Sequence, residues 1–330
     1  MTFAEFIYKA QAFLAALFIT LMPYKGVELP VMETRQDDCL LNMSMISDIH
    51  IEANYPFRSG FVKQGFNRMN RAKSPVDGVI ICGDLTNYAD EPSLARVYEL
   101  VRDYAPGQPI VVAGNHDIGH AGDRDVTDIT REEALANVVK YHNEFYGDDC
   151  ESNYYSLDVN GYKFIVIGDE VIDGGHWDGI SMSQEQLDFL DSELAEGTAQ
   201  GMPTFVCCHW PIDGINGEDI IWDGSGIEED EYPVKEILEK YDNVIYISGH
   251  MHGGMRSNYV GEKYDMPWVE QVNGVTYVSL PTYGIINWYG ITWSGIGAQM
   301  EVYSDKIIFR GINYLTGYWY ANSEYTVELV

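Results

Sequence analysis

Ile110-Val111-Val112-Ala113-Gly114-Asn115-His116-Asp117 sets four apolar residues directly before a cluster of glycine, amide, imidazole and carboxylate. An apolar run of this length, closed by a turn residue, reads as a buried strand that stops at the glycine. The same grammar recurs upstream. Leu40–Ile46 runs into Ser47-Asp48-Ile49-His50, and Gly78–Cys82 runs into Gly83-Asp84. Helical periodicity fills the intervals, over Gly60–Ala72 and Ser93–Tyr104. This β-α-β-α-β order predicts a sheet with parallel strands. Ligands in such sheets bind beyond the carboxyl ends of the strands, where all three polar clusters fall.

The pattern continues downstream. Arg131–Tyr146 reads as a helix, and Tyr154–Leu157 with Tyr162–Ile167 as a hairpin around Asn160-Gly161. Ser183 stands as a helix N-cap, with Gln186 three residues on, before Leu187–Leu194. Thr204–Cys208 is a strand ending at His209, Val234–Lys240 a helix, and Val244–Ser248 a strand ending at Gly249-His250-Met251-His252. Gly274–Leu280, Gln299–Tyr303 and Lys306–Ile312 read as strands without intervening helices. The Gly-, Asp- and Glu-rich stretch Ile212–Glu231 predicts a mobile loop beside the strand ends, within one domain.

With 330 residues, 46% of them hydrophobic, the chain can bury a large core. Its net charge of −31, from 20 basic and 51 acidic residues, repels polyanions, so nucleic acid is not an expected partner. Five cysteines without a CxxC pair give no disulfide framework and no zinc-finger spacing. Apolar residues at Phe3, Phe6, Ile7, Ala10, Phe13, Leu14, Leu17 and Phe18 have helical spacing, and no charge lies between Ala10 and Tyr24. Residues 1–32 are therefore set apart as an apolar N-terminal segment: a signal peptide, a membrane-surface helix or a docked helix. An exported, membrane-associated or cytoplasmic location follows from each in turn.

His50, His116, His209, His250 and His252, five of the eight histidines, fall in strand-to-loop turns. Asp48, Asp84, Asn115 and Asp117 accompany them. Mixed imidazole and carboxylate donors suit Zn, Mn and Fe. One carboxylate can bridge two such cations roughly 3.5–4 Å apart, a spacing that holds both oxygens of an in-line displacement.

In order, Asp-x-His, Gly-Asp, Gly-Asn-His-Asp, a lone His and Gly-His-x-His resemble the motifs of the calcineurin-like metallophosphoesterase superfamily. Within it, the Gly-His-Met-His ending is most similar to the group containing cyclic-nucleotide phosphodiesterases. The resemblance implies an α/β fold of two packed mixed β-sheets flanked by helices, an αββα sandwich, over residues 33–330. It implies two divalent metal ions (Mn, Fe or Zn). Asp48, His50 and His252 would hold the first, and Asn115, His209 and His250 the second. Asp84 would bridge them. A bridging hydroxide would then attack a small phosphomonoester or phosphodiester. His116 would assist the leaving group, and Asp117 would orient His116. Asn87 stands where purple acid phosphatases carry a ligating tyrosine, so a tyrosinate-iron centre is not expected.

Other readings compete. A metal-containing protein that binds without catalysis is the main rival, and an acidic protein acting through its N-terminal helix is a second. His142 and His176 fall outside every motif and read as hydrogen-bonded core histidines, and His120 as a surface or structural residue. Asp123-Arg124-Asp125 fails as a calcium loop, with Asp128 where glycine is needed and Ala134 where glutamate is needed. Asn42-Met43-Ser44 is a glycosylation sequon inside a strand. Trp268, Tyr283, Trp288, Tyr289 and Trp293 read as sheet packing, with a base-stacking platform as the alternative.

Overall fold

The computed structural model describes residues 31–119, 129–172, 179–199, 201–253, 267–284 and 294–330. Most of the N-terminal segment, His120, the Asp123–Asp125 run, His176, Trp288, Tyr289 and Trp293 lie outside these residues. Among the described residues, no helix is long and apolar enough to cross a membrane.

Two mixed six-stranded sheets pack face to face, as expected. The first is built from β1 (Leu41–Ile46), β2 (Gly78–Cys82), β3 (Gln108–Val112), β10 (Ile296–Val302), β11 (Lys306–Asn313) and β12 (Trp319–Glu328), in the order β12-β11-β10-β1-β2-β3. The second holds β4 (Tyr155–Val159), β5 (Tyr162–Val166), β6 (Thr204–Cys207), β7 (Val244–Ser248), β8 (Val269–Val272) and β9 (Val275–Ser279), in the order β4-β5-β6-β7-β9-β8. β1, β2 and β3 pair in parallel, as do β5, β6, β7 and β9. The remaining ladders are antiparallel.

Alternation along the central strands divides their side chains between two cores. In β2, Ile80 and Cys82 face the second sheet, while Val79 and Ile81 face helices. In β7, Ile245 and Ile247 face inward, while Val244 and Tyr246 pack outward. Burial on both faces makes these strands read as unbroken apolar runs. Between the sheets, Phe164 stacks on Phe205 with ring centroids 4.6 Å apart. Trp268 packs edge-on against Phe309 and Tyr325, and buried Tyr283 donates to the Phe61 carbonyl. Both serve the core and not a stacking platform.

Helices α1 (Pro56–Met69), α2 (Glu91–Tyr104) and α3 (Arg131–Tyr146) share a core with the outer face of the first sheet. α4 (Gln184–Gly197) and α6 (Val234–Leu238) cover the second. α3 starts on a reciprocal capping box between Thr130 and Glu133. At α4, Ser183 caps the Gln186 amide as expected, but the Gln186 side chain turns to the Gly168 backbone. The supposed mobile loop is instead compact. It carries the short helix α5 (Glu218–Ile221), and Ile212, Ile215 and Ile227 reach the core. The buried Glu218 carboxylate accepts from the backbone of Gly214, Ser225 and Gly226, so polar composition here hides a closed turn.

Candidate metal centre

The carboxyl ends of β1, β2, β3, β6 and β7 meet at one place between the sheets, because the two parallel sets point the same way there. Asp48 and His50 follow β1, Asp84 follows β2, and Asn115 and His116 follow β3. His209 follows β6, and His250 with His252 follow β7. Every ligand candidate from the sequence arrives in this cluster.

Asp48, His50, Asp84 and His252 form a buried group whose ligand atoms all lie within 4.8 Å of one another. His252 Nε2 is 3.0 Å from Asp48 Oδ1, and the Nε2 atoms of His50 and His252 are 3.2 Å apart. His50 Nε2 lies 3.6 Å from Asp84 Oδ2. On the other side, His209 Nε2 is 3.2 Å from Asp84 Oδ1 and 3.1 Å from Asn115 Oδ1. His250 Nδ1 approaches the same Asn115 oxygen at 3.1 Å. Ligands at about 2.1 Å from a cation and at right angles to each other sit about 3 Å apart, which is the spacing found here.

The donor chemistry fits a divalent cation. Among the described residues, neither of the buried Asp48 carboxylate oxygens has a hydrogen-bond donor. Burial holds the His50 and His250 imidazoles well below their ordinary pKa, leaving them neutral with a lone pair to give. His209 Nδ1 donates to the Cys82 carbonyl at 2.9 Å, which fixes the tautomer and aims Nε2 at Asp84 and Asn115. Burial opposes charge on both Asp84 and His209, but their attraction wins. It keeps Asp84 well below the usual carboxylate range and raises His209 to about 9. A proton on His209 thus balances Asp84, and a cation bound there would displace it.

Backbone geometry supports this convergence. Asp48 (φ 53), His50 (φ 45), Asp84 (φ 48), His250 (φ 67) and His252 (φ 47) are all left-handed. The intervening Ile49 and Met251 are buried. No sequence signal marked these positions beyond the tolerance of Asp and His for this region. The glycines matter mostly for room. A Cβ on Gly83 would stand 2.2 Å from the His209 ring, one on Gly114 2.3 Å from Asp84 Oδ1, and one on Gly249 1.9 Å from Ser47 Oγ. Of the three, only Gly83, at φ +87, also needs the conformation.

His116 lies at the rim. Its side chain is 23% exposed, and Nε2 is 3.9 Å from Asp84 Oδ2. The expected role of Asp117 needs correction. Its carboxylate accepts from the Leu85, Thr86 and Gly114 amides and from the Thr86 hydroxyl. His116 Nδ1 donates instead to the Asn87 carbonyl at 2.9 Å. Asp117 braces the two loops because three free amides surround it there. Burial, with Asp84 nearby, raises its pKa to about 6 against those bonds.

Sequence reasoning missed two contributors. Arg58, buried on α1, donates to the His50 carbonyl and pairs with Glu52. Trp222, at the end of α5, brings its ring centroid to 5.6 Å from His250 and 5.8 Å from His252. Its place in an acidic, glycine-rich stretch gave no sign of this.

No curated protein matches the chain in sequence. The structure resembles purple acid phosphatase PPD1 from yellow lupin (Lupinus luteus) seeds, with a TM-score of 0.57 and 14% identity, covering 87% of this chain and 53% of that one. This chain therefore spans about half the length of the lupin protein. It also resembles PhoD, with a TM-score of 0.51 and 12% identity, covering 91% of this chain and 70% of that one. At these identities the likeness is one of fold. The family model of the calcineurin-like phosphoesterases matches residues 45–254, more than half of the 330-residue chain and the whole span of the clustered ligands. The protein belongs to the calcineurin-like phosphoesterase family, a family of phosphoric ester hydrolases.

Proposed function

We propose that this protein hydrolyses a small phosphomonoester or phosphodiester at a dinuclear divalent-metal centre. Asp48, His50 and His252 would hold one cation, Asn115, His209 and His250 would hold the other, and Asp84 would be shared. The observation that carries this reading is the split of the Asp84 carboxylate, with Oδ2 toward His50 at 3.6 Å and Oδ1 toward His209 at 3.2 Å. One oxygen turned to each donor set suits a carboxylate shared between two cations. When bound, such a pair supplies Lewis-acid polarisation of the phosphoryl group and a water acidic enough to attack near neutral pH.

The chain's own groups do the rest. His116, held through Nδ1 by Asn87, presents Nε2 at the open rim, where a protonated imidazole can donate to the departing alkoxide. Trp222 forms an apolar wall over His250 and His252 that can exclude water and hold the organic part of the ester. The −31 net charge favours small substrates over nucleic acid.

The test is hydrolysis of bis(4-nitrophenyl) phosphate by chelator-stripped protein with and without added Mn²⁺. Turnover is expected only with the metal. Asp84→Asn is expected to lower it on the order of 10³-fold, since several kcal/mol of charge stabilisation depend on the centre. Full activity in Asp84→Asn would overturn the reading. Metal binding without any turnover, across monoesters and diesters, would favour the non-catalytic binding protein.

A further inference from the structure

At the carboxyl end of α3, away from every strand end described above, His142, Asp148 and Cys150 bring ligand atoms within 4.8 Å of one another. His142 was expected to be a hydrogen-bonded core residue. It is 4% exposed, yet its Nε2 is buried with no hydrogen-bond partner among the described residues. The ring is fixed between Tyr146 and Tyr155, with centroids 4.6 and 4.2 Å away. Nε2 points toward Asp148, 3.9 Å from Oδ2.

The local fold brings the other two groups to this nitrogen. Gly147 ends the helix at φ 74 in the left-handed region and turns the chain back over the last turn. Asn143 then clamps Cys150, its Oδ1 accepting from the Cys150 amide at 3.0 Å and its Nδ2 donating to the Cys150 carbonyl at 2.9 Å. Asp148 is 60% exposed and Cys150 half-buried, so the cluster opens to solvent on one side.

We propose that His142 Nε2, the Asp148 carboxylate and the Cys150 thiolate form a second, separate site for one zinc-class divalent cation. Imidazole, carboxylate and thiolate are the donors zinc takes, with a fourth tetrahedral position left for water. Bond lengths of about 2.0–2.3 Å place tetrahedral ligands roughly 3.2–3.7 Å apart. Rotation of the exposed Asp148 side chain closes the remaining gap. Binding releases one proton from the Cys150 thiol to solvent, and the thiolate and carboxylate together balance the cation's two charges. The site would staple the α3 terminus to the loop that leads into β4. Tyr155 of β4, which packs on His142, donates to the Val111 carbonyl of β3, the strand leading to Asn115 and His116. None of the ligands belongs to the Asp84 cluster, so the site stands whether or not hydrolysis is the activity.

Cobalt is the discriminating probe, because a thiolate ligand gives Co²⁺ a near-ultraviolet charge-transfer absorption that imidazole and carboxylate do not. Full-length protein, reduced and stripped of metal, is titrated with Co²⁺. The absorption is expected in the wild type and in Asp84→Asn. It is expected to vanish in Cys150→Ser, and Asn143→Ala should weaken cobalt binding at this site by about 10–100-fold. Zn²⁺ should also slow alkylation of Cys150, with no such protection in Asp148→Asn. No absorption in the wild type, or absorption that survives Cys150→Ser, would overturn the proposal.

Discussion

Asp48, His50, Asp84, His250 and His252 hold left-handed backbone, a state that costs of order 1–3 kcal/mol each in residues other than glycine. Such strain persists only where the surroundings over-determine it, and here it falls at five of the seven candidate ligand positions. The identities of these residues were legible because imidazole and carboxylate at strand ends have few other uses. Their conformations were not, because no glycine marks them. Asp117 shows the opposite limit: adjacency to His116 suggested a partnership, but the local supply of unpaired amides decided where its carboxylate went. His116, partly exposed and held by Asn87, should act on the leaving group. His116→Gln is expected to lower kcat about 10²-fold for an alkyl phosphate ester, as general-acid assistance contributes at least that much. It should do far less for a nitrophenyl ester, whose leaving group needs no proton. Equal losses on both esters would remove His116 from that role.

Among elements, most strands were legible, the edge strands β3 and β4 included, and β8 and β12 were not. Burial on both faces writes β2 and β7 as continuous apolar runs, and Asn160-Gly161 turns with φ 51 and φ 83, as a tight hairpin should. β8 and β12 gave no signal because Glu270-Gln271 interrupts the four residues of β8 and the polar stretch Asn322-Ser323-Glu324 interrupts β12. The α4–β5 contact is pinned by Lys163, whose Nζ is 2.8 Å from Glu193 Oε2. Burial opposes charge at Glu193, but Lys163 holds it below its ordinary value of 4.5. A depressed carboxylate contributes stability above its unfolded pKa and loses it as pH falls through the folded one. Glu193→Gln should therefore cost about 1 kcal/mol at pH 7, and the difference from wild type should close as pH falls below 4.5. Thermal unfolding of both proteins across that range checks it, and a gap unchanged at low pH would contradict it.

At the scale of the whole molecule, the site draws ligands from both sheets, so it exists only when the sandwich is assembled. Ordered motifs made that assembly legible, whereas Trp222 was hidden because its approach depends on how the loop packs. The whole chain carries a net charge of −31. An anionic ester should be repelled at long range, so kcat/KM should rise as ionic strength goes from roughly 0.01 to 0.15 M and the screening length falls from about 30 to 8 Å. A fall with added salt would instead point to a local positive field at the mouth.

Anomalous diffraction from crystals grown with Mn²⁺ tests the shared-carboxylate centre most directly. Two peaks roughly 3.5–4 Å apart are expected, one among Asp48, His50 and His252 and the other among Asn115, His209 and His250, with Asp84 between them. A single peak, or none against His209 and His250, would contradict the account.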